Sequence, residues 1–324
     1  GGTTATFSIS TASVLAQKTA RISASASNVV RSANLTVRPV TVTSVSVNKS
    51  IVESGGSATG TVRLIVPAPP GGVTVSLKAG NASMVKVPAS ITFPAGIAVR
   101  TFTIKAGSTN VQVKTTISAT RGASTQSVAF TVDRTRIASI SAGTGDKVGG
   151  LTYEGKVTIK GIAPAAGTVV ALSSNRTDVL AVPASVTVLA GKTEATFKYT
   201  TKGTSGRTGV TITASLAGET RTATVYVLPP SLTQVTVEPT SITGGLTATA
   251  KATISGPAPK GGLLLSLGTS NTSVATTLAS IRVPEGQRSI LFYVYTKKVK
   301  GAVTIQVRAS HAGVTRSISL TVRP

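Results

Sequence analysis

Few groups in this chain could carry out chemistry. Its 324 residues include one His, nine Asp and Glu, and no Cys. Without Cys there can be no thiolate metal site, no Cys nucleophile and no disulfide framework. His311 is the sole imidazole open to a catalytic dyad or triad. It stands in Ser310-His311-Ala312-Gly313, a turn-like run, and is expected to be an exposed loop residue rather than a base. Glycoside hydrolysis needs two carboxylates on facing elements. Asp146 with Glu154, or Asp178 with Glu194, are the loose candidates, and no spacing logic unites them. Surface pairing with Lys and Arg is their expected role. No run of acidic residues resembles a calcium loop. A Lys–Asn or Lys–Asp isopeptide bond would need a buried acid beside it, and acids are scarce. The sequence therefore predicts no catalytic residue, no metal site, no cofactor, no small-molecule substrate and no enzyme.

Positive charge is the more abundant chemistry. Lys and Arg number 33 against the nine acids, for a net charge of +24. The densest cluster is Lys297, Lys298 and Lys300. A field spread along the whole chain attracts polyanions such as acidic glycans or nucleic acid. The three lysines are candidate contacts for such a polymer. Sequence-specific reading of nucleic acid is not expected, because no recognition helix, finger or aromatic platform is evident. A solvated outer face that repels its own copies explains the same charge, and the two readings stand open. Asn34, Asn48, Asn81, Asn175 and Asn271 begin Asn-x-Ser/Thr triplets, which mark exposed loops or edges if the source glycosylates its secreted proteins.

The elements that position these groups follow from a repeat. Gly96, Gly191 and Gly286 recur at 95 residues, in register with Gly1. Phe102, Phe197 and Phe292 follow six residues later, with Phe7 in the leading copy. Pro67-Ala68-Pro69-Pro70-Gly71-Gly72 matches Pro257-Ala258-Pro259-Lys260-Gly261-Gly262. A fixed period of this size denotes an array of like units. The expected units are 1–38, 39–132, 133–227 and 228–324, with net charges of +4, +7, +5 and +8. Within a unit the pattern has period two, as in Thr101-Phe102-Thr103-Ile104-Lys105 and Ser317-Ile318-Ser319-Leu320-Thr321-Val322. Such alternation places apolar side chains on one sheet face and polar ones on the other. The first full unit reads as about seven runs: 43–52, 57–66, 73–79, 83–87, 91–93 with 98–105, 112–120 and 124–132. The repeated Phe residues are expected core anchors, and the glycines are expected positive-φ turns. Seven short strands in each unit fit an all-β antiparallel sandwich of the immunoglobulin type.

A resemblance follows from particular segments. Ser44–Gly56, Gln234–Gly245, Leu172–Val188 and Ala190–Phe197 resemble bacterial Ig-like repeats. The resemblance covers essentially the whole chain and rests on structural motifs. It implies tandem Ig-like domains of secreted or surface proteins: an extracellular fibre subunit or cell-surface stalk, or an adhesin. It transfers no catalytic residue. Short Pro-containing junctions such as Thr36–Val42 and Val227–Ser231 predict a stiff array. Self-association or attachment to a cell surface is then the expected partnership. A non-catalytic region of a larger secreted enzyme is a further alternative. Residues 1–38 are expected to hold the last three strands of a unit. They would be completed by upstream residues of a longer chain or by strands of another copy. No run approaches about 18 apolar residues, so no membrane-spanning helix is expected.

Overall fold

The computed structural model describes residues 3–324. Alternation becomes strand throughout, and among the described residues there is no helix. Strand Val73–Ala79 shows the rule. It buries Val73, Val75, Leu77 and Ala79 and exposes Thr74, Ser76 and Lys78. The chain divides into two compact units. One comprises Gly1–Arg136, Ile159–Thr168 and Val188–Thr193, and the other Ile137–Thr158, Val169–Thr187 and Glu194–Pro324.

In the first unit, four strands order as Val42–Val47, Ser57–Leu64, Val99–Ala106, Val85–Lys86. Five order as Ile51–Val52, Ser124–Val132, Val113–Arg121, Val73–Ala79, Ser90–Phe93. The seven expected runs thus resolve into nine strands. The run 43–52 breaks after Val47, and its second half pairs in parallel with Thr131 and Val132 in the other sheet. The runs 91–93 and 98–105 also fall on different sheets, separated by a turn at Gly96 with φ +80°. The inner faces form one core that includes Val62, Val75, Phe93, Ile104, Ile117 and Val132.

Residues 228–324, all in the second unit, repeat both orders. One sheet runs Leu232–Glu238, Thr247–Ile254, Ser289–Thr296, Ala275–Thr276. The other runs Ser241–Thr243, Val314–Arg323, Val303–His311, Leu263–Thr269, Ser280–Val283. Their core includes Leu232, Leu265, Val294, Ile305 and Leu320. Residues 133–227 are divided between the two units, and their sheets have the same four- and five-strand orders. An outer strand that belongs to the first sheet by sequence but joins the second, over a four-on-five antiparallel pair, is an Ig-like arrangement.

The repeated Phe is seated by its cross-strand neighbour. Gly60 stands opposite Phe102, and Gly155 opposite Phe197. A Cβ on Gly60 would lie 2.2 Å from Phe102 Cζ, and one on Gly155 2.4 Å from Phe197 Cζ. The ring therefore lies across a bare backbone. Opposite Phe292 stands Ala250, so the third copy accommodates one methyl. Phe102, Phe197 and Phe292 are 6%, 5% and 2% exposed.

The leading copy departs from expectation. It has two strands, Lys18–Ala26 and Val29–Val37, rather than three. Phe7 is 68% exposed and anchors no core. The cause is the lack of a ladder partner. The strand at the equivalent place, Val99–Ala106, is held between Ser57–Leu64 and Val85–Lys86. Among the described residues the segment around Phe7 is assigned to no strand, and an extended segment outside a ladder has no backbone partners to fix it.

Gly60→Val should lower stability by about 1–3 kcal/mol, because the added carbons collide with the Phe102 ring. Urea unfolding of the full chain reads this as an earlier transition. Adding Phe102→Leu to the same chain should recover part of the loss, whereas strict additivity would disprove the ring contact.

Candidate functional site

The lysine cluster sits on the loop that follows strand Ser289–Thr296. Its backbone is fixed: Lys297 N–H donates to Val274 O at 2.8 Å. Lys297 Nζ is held as well, donating to Thr272 O at 3.0 Å. Gly244 lets the loop close, since a Cβ there would stand 2.5 Å from Lys297 O. Lys297, Lys298 and Lys300 are exposed, with Val299 between them half-buried. One loop thus carries all three exposed lysines.

Three of the four candidate carboxylates pair with cations. Asp146 pairs with Arg207 at 3.0 Å, Asp178 with Arg176 at 2.7 Å, and Glu194 with Lys156 at 3.0 Å. Glu154 stands opposite Lys198 in the sheet register. The Arg176 hydrogen bond holds the Asp178 carboxyl below its usual range. Asp133 pairs with Arg136 at 2.9 Å. Burial pushes the Asp133 carboxyl up, but hydrogen bonds from Arg136 and the Arg134 N–H outweigh it and hold it below the usual value. Among the described residues, no three His, Cys, Asp or Glu side chains gather as metal ligands would.

His311 is not a loop residue. It ends strand Val303–His311, is half-buried, and its Nδ1 lies 2.8 Å from Leu264 O. A carbonyl only accepts, so Nδ1 carries the proton. Of the Asn-x-Ser/Thr residues, Asn81 and Asn271 sit at equivalent turns. The Asn81 Oδ1 accepts from Ser83 Oγ at 2.7 Å, and the Asn271 Oδ1 from Ser273 Oγ at 2.6 Å. Asn48 and Asn175 accept backbone N–H groups of Thr59 and Thr211. Asn34 faces Arg21 within the leading hairpin.

One surface escaped the sequence reasoning. Strand Ser289–Thr296 turns Phe292 and Val294 inward and Leu291, Tyr293 and Tyr295 outward, the latter three 60%, 55% and 49% exposed. The Tyr293 and Tyr295 ring centroids are 6.4 Å apart, tilted by 47°. The positions 95 residues earlier are Thr196, Lys198 and Thr200, and 95 earlier still Thr101, Thr103 and Lys105. The signal was present as a departure of one repeat from the other two.

Buried polar groups mark a different place. Tyr199 is fully buried and its hydroxyl donates to Ala142 O at 2.6 Å. Burial, with Tyr153 5.8 Å away between ring centroids, pushes its pKa from 10.0 up to about 12.

No family model matches the chain, and no curated protein does. Solved structures similar to it include the Escherichia coli adhesin FdeC, at 14% identity and a TM-score of 0.30, covering 87% of this chain and 96% of that one. Titin domains A168–A170 match at 12% identity and a TM-score of 0.39, over 88% of this chain and 97% of that one. Invasin, a bacterial integrin-binding protein, matches at 16% identity and a TM-score of 0.39, over 87% of this chain and 60% of that one.

A tyrosine with a raised folded pKa contributes stability below its unfolded value and loses that contribution as pH rises through the folded one. The chain should therefore weaken between pH 10 and about 12 through Tyr199. Tyr199→Phe should remove that step and cost about 1 kcal/mol near neutrality. Asp133 acts in the opposite sense: its contribution holds above pH 3.8 and is lost as pH falls through its lowered pKa. Denaturant midpoints across pH read both, and an unchanged alkaline profile in the Phe variant would count against Tyr199. The architecture that carries all these groups is an all-β tandem array in the Ig-like strand order.

Proposed function

We propose that the chain is a non-catalytic extracellular structural protein, a repeat-built fibre subunit or cell-surface stalk. Its domains would be 39–132, 133–227 and 228–324, preceded by the partial copy 1–38. One observation carries this reading. Within the first unit, successive repeats meet backbone to backbone with no slack linker. Ile162 N–H donates to Ser54 O at 2.8 Å, and Ser54 Oγ donates to Ile162 O at 2.7 Å. Asn110 closes the same seam. Its Oδ1 accepts from Thr135 Oγ1 at 2.6 Å and Thr168 Oγ1 at 2.7 Å, and its Nδ2 donates to Gly167 O at 2.9 Å. A seam of satisfied, part-buried polar groups resists bending in a way that a Gly/Ser linker does not. Transmitting force or holding a distance needs such seams, and catalysis does not.

Asn110→Ala would leave two hydroxyls and a carbonyl without their partner. Because the site is only part-buried, the cost is about 1 kcal/mol. X-ray scattering of the full chain should then record a broader spread of interatomic distances than for the parent protein. An unchanged distribution would argue that the seam is not a stiffening element. For the role itself, negative-stain microscopy of native material should find the protein in filaments or in projections from the cell surface. Recovery of the native protein from the cell interior would overturn the extracellular reading.

A second reading rests on the charge. The 33 cations against nine carboxylates leave a net charge of +24, and the exposed Lys297, Lys298 and Lys300 offer a local contact for an anionic glycan or nucleic acid. Retention on immobilised heparin should then fall steeply as salt rises. Retention that ignores salt would remove this reading.

A further inference from the structure

We propose that the outer face of the four-stranded sheet in residues 228–324 binds a neutral polysaccharide, with Tyr293 and Tyr295 as its stacking ledge. The inference goes beyond the structural role and does not depend on it.

The ledge is a feature of one repeat only. All three repeats build the same sheet in the same order, yet only the third places rings on its outer face. In the second, the same face carries the Lys156–Glu194 ion pair. Exposed rings have a cost in hydration, and nothing in the core requires them, since the other two copies fold with Thr and Lys at these positions.

The surroundings suit a sugar. The sheet register places Thr249 between Glu238 and Tyr293, and Lys251 beside Leu291. Thr247 and Thr276 flank Tyr295. An open depression of about 680 Å³ adjoins the ledge, lined by Glu238, Pro239, Thr240 and Thr249. A hexopyranose has an apolar face of C–H bonds and a rim of hydroxyls that both donate and accept. The tyrosine rings match the face, and the Glu238 carboxylate, the Lys251 ammonium and the threonine hydroxyls match the rim. Charge then selects the class of polymer. In a chain of +24, the charged residues of the register around the ledge are Glu238, opposite Thr249, and Lys251, opposite Thr236, one acid and one base, so the face gives no special attraction to a polyanion. A strand added from another protein is not the occupant. Ser289–Thr296 lies inside its sheet, with ladder partners on both sides. Side chains alone are on offer.

The test is retardation of the full chain in native gels containing hydroxyethyl cellulose, galactomannan or dextran, with heparin as the anionic control. At least one neutral polymer should retard the parent protein. The double variant Tyr293→Thr, Tyr295→Thr adopts residue types that the other repeats already hold there, so folding should be unaffected. It should bind about tenfold more weakly, equivalent to about 1.4 kcal/mol. The matching pair Tyr293→Phe, Tyr295→Phe should keep most of the binding, because the stacking faces remain. Retardation should be indifferent to salt. The proposal is overturned if no neutral polymer retards the chain, or if the threonine variant is retarded as strongly as the parent. It also falls if retardation is lost in Lys297→Gln, Lys298→Gln, Lys300→Gln while the tyrosines are intact. Sedimentation adds a last outcome. A dimer of the parent chain that disappears in the threonine variant assigns the ledge to a second copy and defeats the polysaccharide. None of these failures bears on scattering or microscopy, which judge the structural role separately.

Discussion

An antiparallel sheet with one apolar face is stable only when something covers that face. In residues 39–132 the cover is a second sheet, and the two inner faces meet at Ile104, Ile117 and Phe93. The same rule explains the one place where the pattern fails. Residues 18–37 form a two-stranded hairpin with Val29 and Val30 exposed, and the segment around Phe7 finds no ladder. The side chains are of the right type at the right spacing. Among the described residues no second sheet packs on this hairpin, and period-two alternation by itself cannot supply one.

Covering the core leaves the repeats to be joined, and the chain does this in two chemically different ways. The seam in the first unit is polar, built on Ser54 and Asn110. At the equivalent positions in the second unit stand Gly149, Ser205, Pro230 and Leu263. There the contact is made by bare backbone against proline. A Cβ on Gly150 would stand 2.7 Å from Pro257 Cδ, and one on Gly256 2.7 Å from Gly149 O. Thr204 Oγ1 is left buried without a hydrogen-bond partner. Hydrogen bonds fix direction and glycine–proline contact fixes closeness, so the two seams need not respond alike to load or to denaturant.

The fold was legible in the sequence because burial on one face imposes a period that residue types record directly. The 95-residue spacing of Gly96, Gly191 and Gly286 and the alternation around Phe102 were enough to place the sheets. The strand breaks were less legible. Lys49 and Ser50 are compatible with a continuing strand, and only the parallel pairing of Ile51 and Val52 with Thr131 and Val132 moves the chain to the other sheet. His311 misled for a related reason. A Ser-His-Ala-Gly run reads as a turn, but the hairpin register carries the strand through His311 to pair with Val314, and the turn falls on Ala312 and Gly313 with φ of +45° and +81°. Of the candidate surfaces, the lysine cluster could be read from adjacency. The tyrosine ledge could not be, because it depends on which of two alternating sets faces outward.

That dependence points to how such an array acquires a specific surface. The inner set is constrained three times over by the same packing, whether the residue opposite the Phe is Gly60, Gly155 or Ala250. The outer set answers only to solvent and to cross-strand neighbours, so it can change in one repeat without disturbing the others. Thr101, Thr103 and Lys105 make a hydrated face. Thr196 and Lys198, beside the Lys156–Glu194 pair, make a charged one. Leu291, Tyr293 and Tyr295 make a face that water covers poorly. Three outer faces on one scaffold separate what stabilises the chain from what it can recognise. They also set where specificity would be sought first: not in the charge shared by every repeat, but where one repeat departs from the rest.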